Sequence, residues 1–510
     1  MSSNDELFLL SLDLGTSTIK AGVFDRHGRE ITIASEEYLV IPEGETTVEL
    51  PAEVFWEVSC RVIHRALAQA PAVARHIAGV SISSHAETLV FLDSFGRPVR
   101  PAMFTSDARA EEEAYELAEC LGSEWVLQQT GQPDVVAQWP ACKIAWLRKH
   151  EPTAFSMVAY YLMAEDYVLY RLTGELCGEV TCWLSSIMVD IHRNDWLEPV
   201  LSLIGVQPSQ LPRLLPCGTL IGHVTAAASG QTGLPAGIPV AMGAMDQLCA
   251  ALAAGNITPG SVTASTGSVI ALVASTDRLI FDPVSKISCY PHAIAGVYCL
   301  LPWNPTGGFV LKWFKDRFCE AEQAEADRLG ISVYDLLTRD AASVPPGCAG
   351  LVMLPHLQGM LYPEVNPTVR GAFCGFSLAH TRAHFTRAIL EAIAFMLRNA
   401  VEILAGLGVQ VNEVCHLGGG SRSHLWNSIM ASVCQKPVVI ATASEAALLG
   451  AAILAAPVAG IYPDTRAAVT AMAHLGDRFE PDPAMAAPYS NFYTRYQVLC
   501  QQLRPWFAWV

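Results

Sequence analysis

The chain reads as an α/β protein of two large domains facing a central cleft, and three observations carry that reading. Its 510 residues exceed what one hydrophobic core organises. Strand-like runs such as HIAGVSIS (76–83) and GIPVAMGAM (237–245) alternate with helix-like ones such as AEEEAYELAECLG (110–122). Two Gly/Ser/Thr-rich turns, each between apolar runs, stand about 250 residues apart, which predicts a duplicated domain with one loop from each half. The boundary is set where helix-like AALAAG gives way to the turn NITPG, giving domains 1–257 and 258–510.

The first turn lies in LFLLSLDLGTSTIKAGVFD (7–25). Its bland reading is a β-hairpin whose turn residues tolerate tight conformations. Its functional reading is a phosphate cradle made by turn amides, the hydroxyls of Thr16, Ser17 and Thr18, and the Lys20 ammonium, with Asp13 holding a metal ion. On these residues alone both stay open.

Composition narrows the partners. A net charge of −17 without a basic stripe argues against nucleic acid and against an anionic membrane surface. With 51% hydrophobic and 16% charged residues the chain suits a large globular enzyme and a small-molecule ligand. The 15 cysteines form no CxxC pair, so reduced cytosolic thiols are expected and no zinc site is. The N-terminus lacks a basic region and cleavage site, so a cytoplasmic location is expected. The uncharged run AALLGAAILAAPVAGIYP (446–463) contains Pro457 and predicts a buried helix in preference to a membrane span.

The second half adds chemistry. In PVAMGAMDQLCAALAAG (239–255) an apolar strand ends and Asp246 opens a helix-like run. An Asp there is a favoured helix cap, and it is also placed to take a proton from an attacking hydroxyl; the two readings are compatible. GSVTASTGSVIALVAS (260–275) holds the second turn, Ser265-Thr266-Gly267-Ser268. Residues 414–452 read strand, Gly418-Gly419-Gly420, helix, strand, helix; the glycines admit a bulky ligand and the helix offers its N-terminal amides to phosphate, with a surface turn as the plain alternative. There is no Walker A and no GxGxxG, so P-loop and Rossmann sites are not indicated.

Taken together these segments resemble the FGGY carbohydrate kinases, of the actin, Hsp70 and sugar-kinase ATPase superfamily, from about Leu7 to Ala456. DLGTSTIKAGVFD is similar to the family's first phosphate motif and GAMDQLCAALAAG to the segment with its catalytic acid. KIAWL (143–147), DYVLYRLTGE (166–175), His416 to Gly420, and above all GAFCGFSLAHTRAHFTRAILE (371–391) match further blocks in family order. The resemblance implies two ribonuclease H-like domains flanking the cleft, the first with the sugar site and the second with the adenine nucleotide. It implies ATP-dependent phosphorylation of a sugar hydroxyl, with Asp246 as general base and Asp13 positioning Mg²⁺ through water. Gly15, Thr16, Ser17, Thr18 and Lys20, with Thr266, Gly267, Gly308, Gly418, Gly419 and Gly420, would bind the nucleotide.

The sugar site implied is His85, Ala86, Glu87, Asp107, Asp246 and Gln247, although Asp107 with Arg109 also reads as a pair of surface charges. Xylulose kinases typically carry Met-His at Ala86-Glu87 and glycerol kinases Arg-Glu, while pentulose kinases usually show Trp-Asn-Asp at Thr105-Ser106-Asp107. The layout GRPVRPAMFTSDAR (96–109) looks more like the ketopentose kinases. A neutral ketose such as xylulose or ribulose is therefore expected first, and a polyol such as glycerol or erythritol second. The rival class is a non-enzymatic nucleotide-gated module or sugar sensor, which would need an appended domain not expected here. A homodimer is left as an assembly to test.

Overall fold

In the computed structural model, which describes residues 7–44 and 46–507, the two opening apolar runs are the strands Phe8–Leu14 and Thr18–Asp25. They pair antiparallel across the turn, with Asp13 opposite Lys20. Phe8–Leu14 also runs parallel to Ile77–Ser84, which sets Asp13 beside Ser83. A strand paired on both edges and covered by helices needs no polar alternation, hence the nearly unbroken FLLSLDL. Leu10, Leu12 and Leu14 share a core with Phe55, Val58, Val62 and Ile63, which recur at helical spacing along Glu53–Gln69.

The first sheet runs Leu220–His223, Pro239–Ala241, Ile77–Ser84, Phe8–Leu14, Thr18–Asp25, Glu30–Glu37, with Ala244–Met245 also on Ile77–Ser84. In the second unit a sheet orders Ile270–Thr276, Ser261–Thr266, Glu413–Leu417, Val438–Ala441 and Leu475–Phe479. Both repeat one pattern: an antiparallel hairpin, two successive parallel pairings, then an antiparallel outer strand. The duplication is thus visible in strand sense.

The first unit takes the chain up to Ile257 together with Ser288–Cys299 and Glu445–His474; the second takes Thr258–Ile287, Leu300–Ser444 and the residues from Leu475. These returns interrupt the two stretches 1–257 and 258–510 drawn from the sequence. The reason is the helix Ala446–Val458, buried from Leu448 to Ala456, which packs on Phe8–Leu14 and Ile77–Ser84. It also crosses Asp246–Ala253 so closely that a Cβ on Gly450 would lie 1.9 Å from Cys249 O. Among the described residues no helix is long and apolar enough to cross a membrane.

In the second unit the block 371–391 becomes the strand Ala372–Cys374 and the start of the helix Arg382–Gly406. Arg387 and Glu391 pair at 2.9 Å, both nearly buried, and Glu391 also accepts from Gly347 N and Tyr489 Oη. All fifteen cysteines are free thiols.

Candidate active site

Asp246 is the first residue of the helix Asp246–Ala253, with Met245 before it as the cap, so the capping role expected of Asp246 is shifted by one residue. Its Oδ1 still accepts from the adjacent Gln247 N at 2.6 Å. The residue sits in a recess: burial pushes its carboxyl up to about 7, the negative charges of Asp13 and Glu87 push the same way, and the Gln247 amide opposes them. A carboxylate with that affinity is matched to taking a proton near neutral pH. Burial likewise raises Asp13 to about 6 against the Ser83 hydroxyl, which donates to Asp13 Oδ1 at 2.9 Å, and against the Lys20 charge.

The hairpin turn is tight, with Gly15 N bonded to Thr18 O at 3.1 Å, and it leaves Thr16 and Ser17 exposed. Lys20 is not free to solvent: its Nζ lies 2.6 Å from Glu445 Oε2. Two nearby carboxylates with raised proton affinity, offering oxygen donors only, fit a hard divalent cation such as Mg²⁺.

Among the residues expected to meet the sugar, Glu87 is held at φ +68°, the left-handed region that a non-glycine residue enters only under constraint. The constraint is visible. Lys143, wholly buried, donates to Glu87 O at 2.8 Å and Phe104 O at 2.6 Å, and Glu87 Oε2 accepts from Thr105 Oγ1 at 2.7 Å. Burial brings the Lys143 ammonium down to about 7 although Glu87 and Asp107 favour its charge. Gln247 is half-buried beside Asp246, and Ala86 is buried.

Two expected sugar ligands are already occupied. His85 places Nδ1 2.6 Å from Leu14 O and Nε2 2.7 Å from Thr88 Oγ1, and burial lowers it to about 4. A neutral ring that donates to Leu14 O must accept from Thr88, so His85 ties the strand end to the loop. Asp107 is fully buried, accepting from Val48 N at 2.7 Å and from Arg109 through both oxygens, while Arg109 also reaches Glu49 at 2.7 Å. The surface-pair reading is corrected to a buried network, because both carboxylate oxygens are needed inside the fold.

In the second unit Thr266, Gly267, Gly308, Gly419 and Gly420 line one cavity of about 490 Å³, with Leu311, Tyr334 and Trp426 supplying apolar walls. Gly418, which follows the strand Glu413–Leu417, is not among the lining residues. Thr266 Oγ1 lies 2.6 Å from His416 Nε2, His416 Nδ1 lies 2.6 Å from Asn427 Oδ1, and Asn427 Nδ2 donates to Ser421 O at 2.7 Å. This relay fixes the glycine loop against Thr266. Gly420 has no space for a side chain, since a Cβ would meet Thr266 Oγ1 at 2.5 Å and Trp426 at 2.6 Å, whereas Gly267 and Gly419 border open space. Exposed loop backbone beside an apolar slot suits a nucleotide's phosphates and base.

Sequence reasoning did not single out Ser83, Thr105, Glu445 or the His416–Asn427 pair as site residues. Lys143 carried the one available signal, a lone cation in the apolar helical run PACKIAWL.

The comparisons agree with this architecture. The N-terminal-domain model of the FGGY family of carbohydrate kinases matches residues 8–253 and the C-terminal-domain model residues 260–459. The chain belongs to the FGGY family and is a carbohydrate kinase of the two-domain α/β fold. It is 29% identical over 506 residues to the autoinducer-2 kinase of Salmonella choleraesuis (strain SC-B67), covering 98% of this chain and 94% of that one. It is 30% identical over 453 residues to the gluconokinase of Bacillus subtilis (strain 168), covering 88% and 86%. The crystal structure of xylulose kinase from Rhodospirillum rubrum superposes with a TM-score of 0.87 at 31% identity, covering 98% and 100%.

Proposed function

We propose that this kinase transfers the γ-phosphoryl group of ATP to a hydroxyl of a neutral sugar, with a five-carbon ketose such as xylulose first. The observation that carries the reading is Asp246, a recessed carboxyl with proton affinity near neutrality, influenced by Asp13 and Glu87. Asp246 takes the proton of the attacking hydroxyl. Asp13 would hold Mg²⁺, which would supply charge neutralisation at the phosphate oxygens. The loops of Thr266 and Gly419 hold the nucleotide in the second unit. Phosphoryl transfer has a loose transition state, so alignment and charge neutralisation supply most of the acceleration. It also requires that water is kept away from the phosphoryl group. The setting is cytoplasmic.

Charge favours a neutral acceptor over gluconate. Lys143 is spent on two carbonyls and Arg109 on Asp107 and Glu49, while Glu87 and Asp246 are acids that accept from hydroxyls. A bound carboxylate without an uncommitted cation would be poorly compensated. The similarity to xylulose kinase supports ranking ketopentoses ahead of polyols in this reading.

The test is an ADP-release assay over xylulose, ribulose, gluconate, autoinducer-2, glycerol and erythritol. A pentulose is expected to give the highest kcat/KM. Preference for gluconate or a polyol overturns the substrate class, and turnover unaffected by every acceptor overturns the transfer reaction in favour of a nucleotide-gated sensor.

A further inference from the structure

Near the strand that leads into Asp246 lies a group of acids and thiols that phosphoryl transfer does not use. Glu165 stands in the first turn of the helix Ala164–Thr173, Glu179 ends the strand Cys177–Glu179, and Cys182 belongs to the helix Val180–Leu184. All three are buried, and one ligating atom from each lies within 4.8 Å of the others. Cys182 Sγ is 3.5 Å from Glu165 Oε2, and Cys217 Sγ approaches Glu179 Oε1 at 3.1 Å.

The group lacks positive charge. Burial, then the neighbouring Glu179 and Asp166, holds Glu165 well above the usual carboxylate range, and burial raises Glu179 as well. The thiols of Cys182 and Cys217 are also pushed up, first by burial and then by the surrounding acids. No lysine or arginine figures among the strongest influences on either glutamate. Glu165 Oε1 is buried with no partner in hydrogen-bonding geometry. Two carboxyls and two thiols thus gather in the core, and the Gly243 amide lies near Glu165 without giving its Oε1 a well-formed hydrogen bond.

We propose that Glu165, Glu179, Cys182 and Cys217 form a structural site for a divalent cation of the zinc class. Thiol donors exclude Mg²⁺ and Ca²⁺, and a four-ligand set of two sulfurs and two oxygens leaves no open position for catalysis. With Zn–S near 2.3 Å and Zn–O near 2.1 Å, the S···O edges of a tetrahedron are about 3.6 Å, against 3.5 Å from Cys182 Sγ to Glu165 Oε2 and 3.1 Å from Cys217 Sγ to Glu179 Oε1, so Cys217 would shift to complete the set. On binding, each ligand that carries a proton releases it to solvent, and the metal takes its place. The site is tied to the reaction centre through Thr181, whose hydroxyl donates to Glu179 Oε2 at 2.5 Å and accepts from Met245 N at 3.1 Å, one residue before Asp246. Cys182 and Cys217 are remote in sequence and in no CxxC pair, so only the fold brings them together.

The experiment measures metal in the full-length protein, produced with zinc in the medium and dialysed against metal-free buffer. About one zinc per chain is expected by mass spectrometry, lost in Cys182→Ser/Cys217→Ser and kept in Cys120→Ser, whose thiol is exposed. Because the double variant risks misfolding, Co²⁺ is also titrated into metal-free wild-type protein, where a thiolate-to-cobalt charge-transfer band with intense visible bands marks tetrahedral sulfur ligation. Wild-type protein that is folded, holds no zinc and gives no such band overturns the site and leaves a proton-sharing carboxyl cluster. Zinc retained by the folded double variant overturns it too.

Discussion

Lys20 Nζ lies 2.6 Å from Glu445 Oε2, so the cation that follows the first turn is tethered to a carboxylate 425 residues further along the chain. Both side chains keep about a third of their surface exposed, and such a pair contributes only about 0.5–1 kcal/mol. Exchange of Glu445 for a phosphate is therefore inexpensive. Lys20→Met is expected to raise the KM for ATP about tenfold, and Glu445→Gln to lower it or leave it unchanged. An equal rise in both variants, measured by initial rates at saturating sugar, would reduce the pair to a structural tie.

Asp246→Asn removes the proposed base while preserving size and the bond from Gln247 N. Turnover is expected to fall at least about a hundredfold, with ATP binding nearly intact. Isothermal titration with nucleotide separates this from misfolding, and near-normal turnover removes Asp246 from the role.

The same residue sets a pH dependence of stability. Asp246 is raised to about 7 and Asp13 to about 6 from the ordinary 3.8, so the folded protein keeps protons that the unfolded chain has released. Their unfavourable contribution grows as pH rises from about 4 to about 7 and is complete above that. Asp246→Asn should therefore be more stable than the wild type at pH 8, by up to about 4 kcal/mol, with the advantage vanishing towards pH 4. Denaturant midpoints across that range decide it. In the wild type kcat/KM should decline below about pH 7 as the base becomes protonated.

What was legible in the sequence were features that are local. The hairpin turn, the glycine loop, the helix after Met245 and the buried Ala/Leu helix each announce themselves by residue type and order. The returns were not legible, because the sequence around Ala446 shows that a helix is buried but not on which sheet. Asp107 misled for a related reason: its pairing with Arg109 two residues on is visible in the sequence, while Val48 and Glu49, which bury it, are some sixty residues away. Lys143 and Glu87 meet only through tertiary structure.

Gly450→Ala tests the helix that returns to the first unit. A Cβ there would lie 1.9 Å from a backbone oxygen, which no side-chain rotation relieves. The expected loss is about 2–4 kcal/mol, as for severe overpacking, read from thermal or denaturant unfolding. A change below about 0.5 kcal/mol would mean that the two helices can separate without cost.

Lys143→Met keeps the volume and apolar stem of the side chain but deletes the ammonium that joins Glu87 O to Phe104 O. Two buried carbonyls lose their donor, which costs about 1–3 kcal/mol for each acceptor left unpaired. The larger consequence concerns Glu87, whose backbone is held at φ +68° and whose carboxylate is aimed by that conformation. Released from it, the loop should relax toward an ordinary backbone region and Glu87 should drift from its hydrogen bond with Thr105. The KM for sugar is then expected to rise more than about tenfold while the KM for ATP stays within about twofold, since the second-unit cavity proposed for the nucleotide does not involve Lys143. A loss of stability with an unchanged KM for sugar would make Lys143 a support of the fold alone; a parallel rise in both KM values would show that its effect is not confined to the acceptor side.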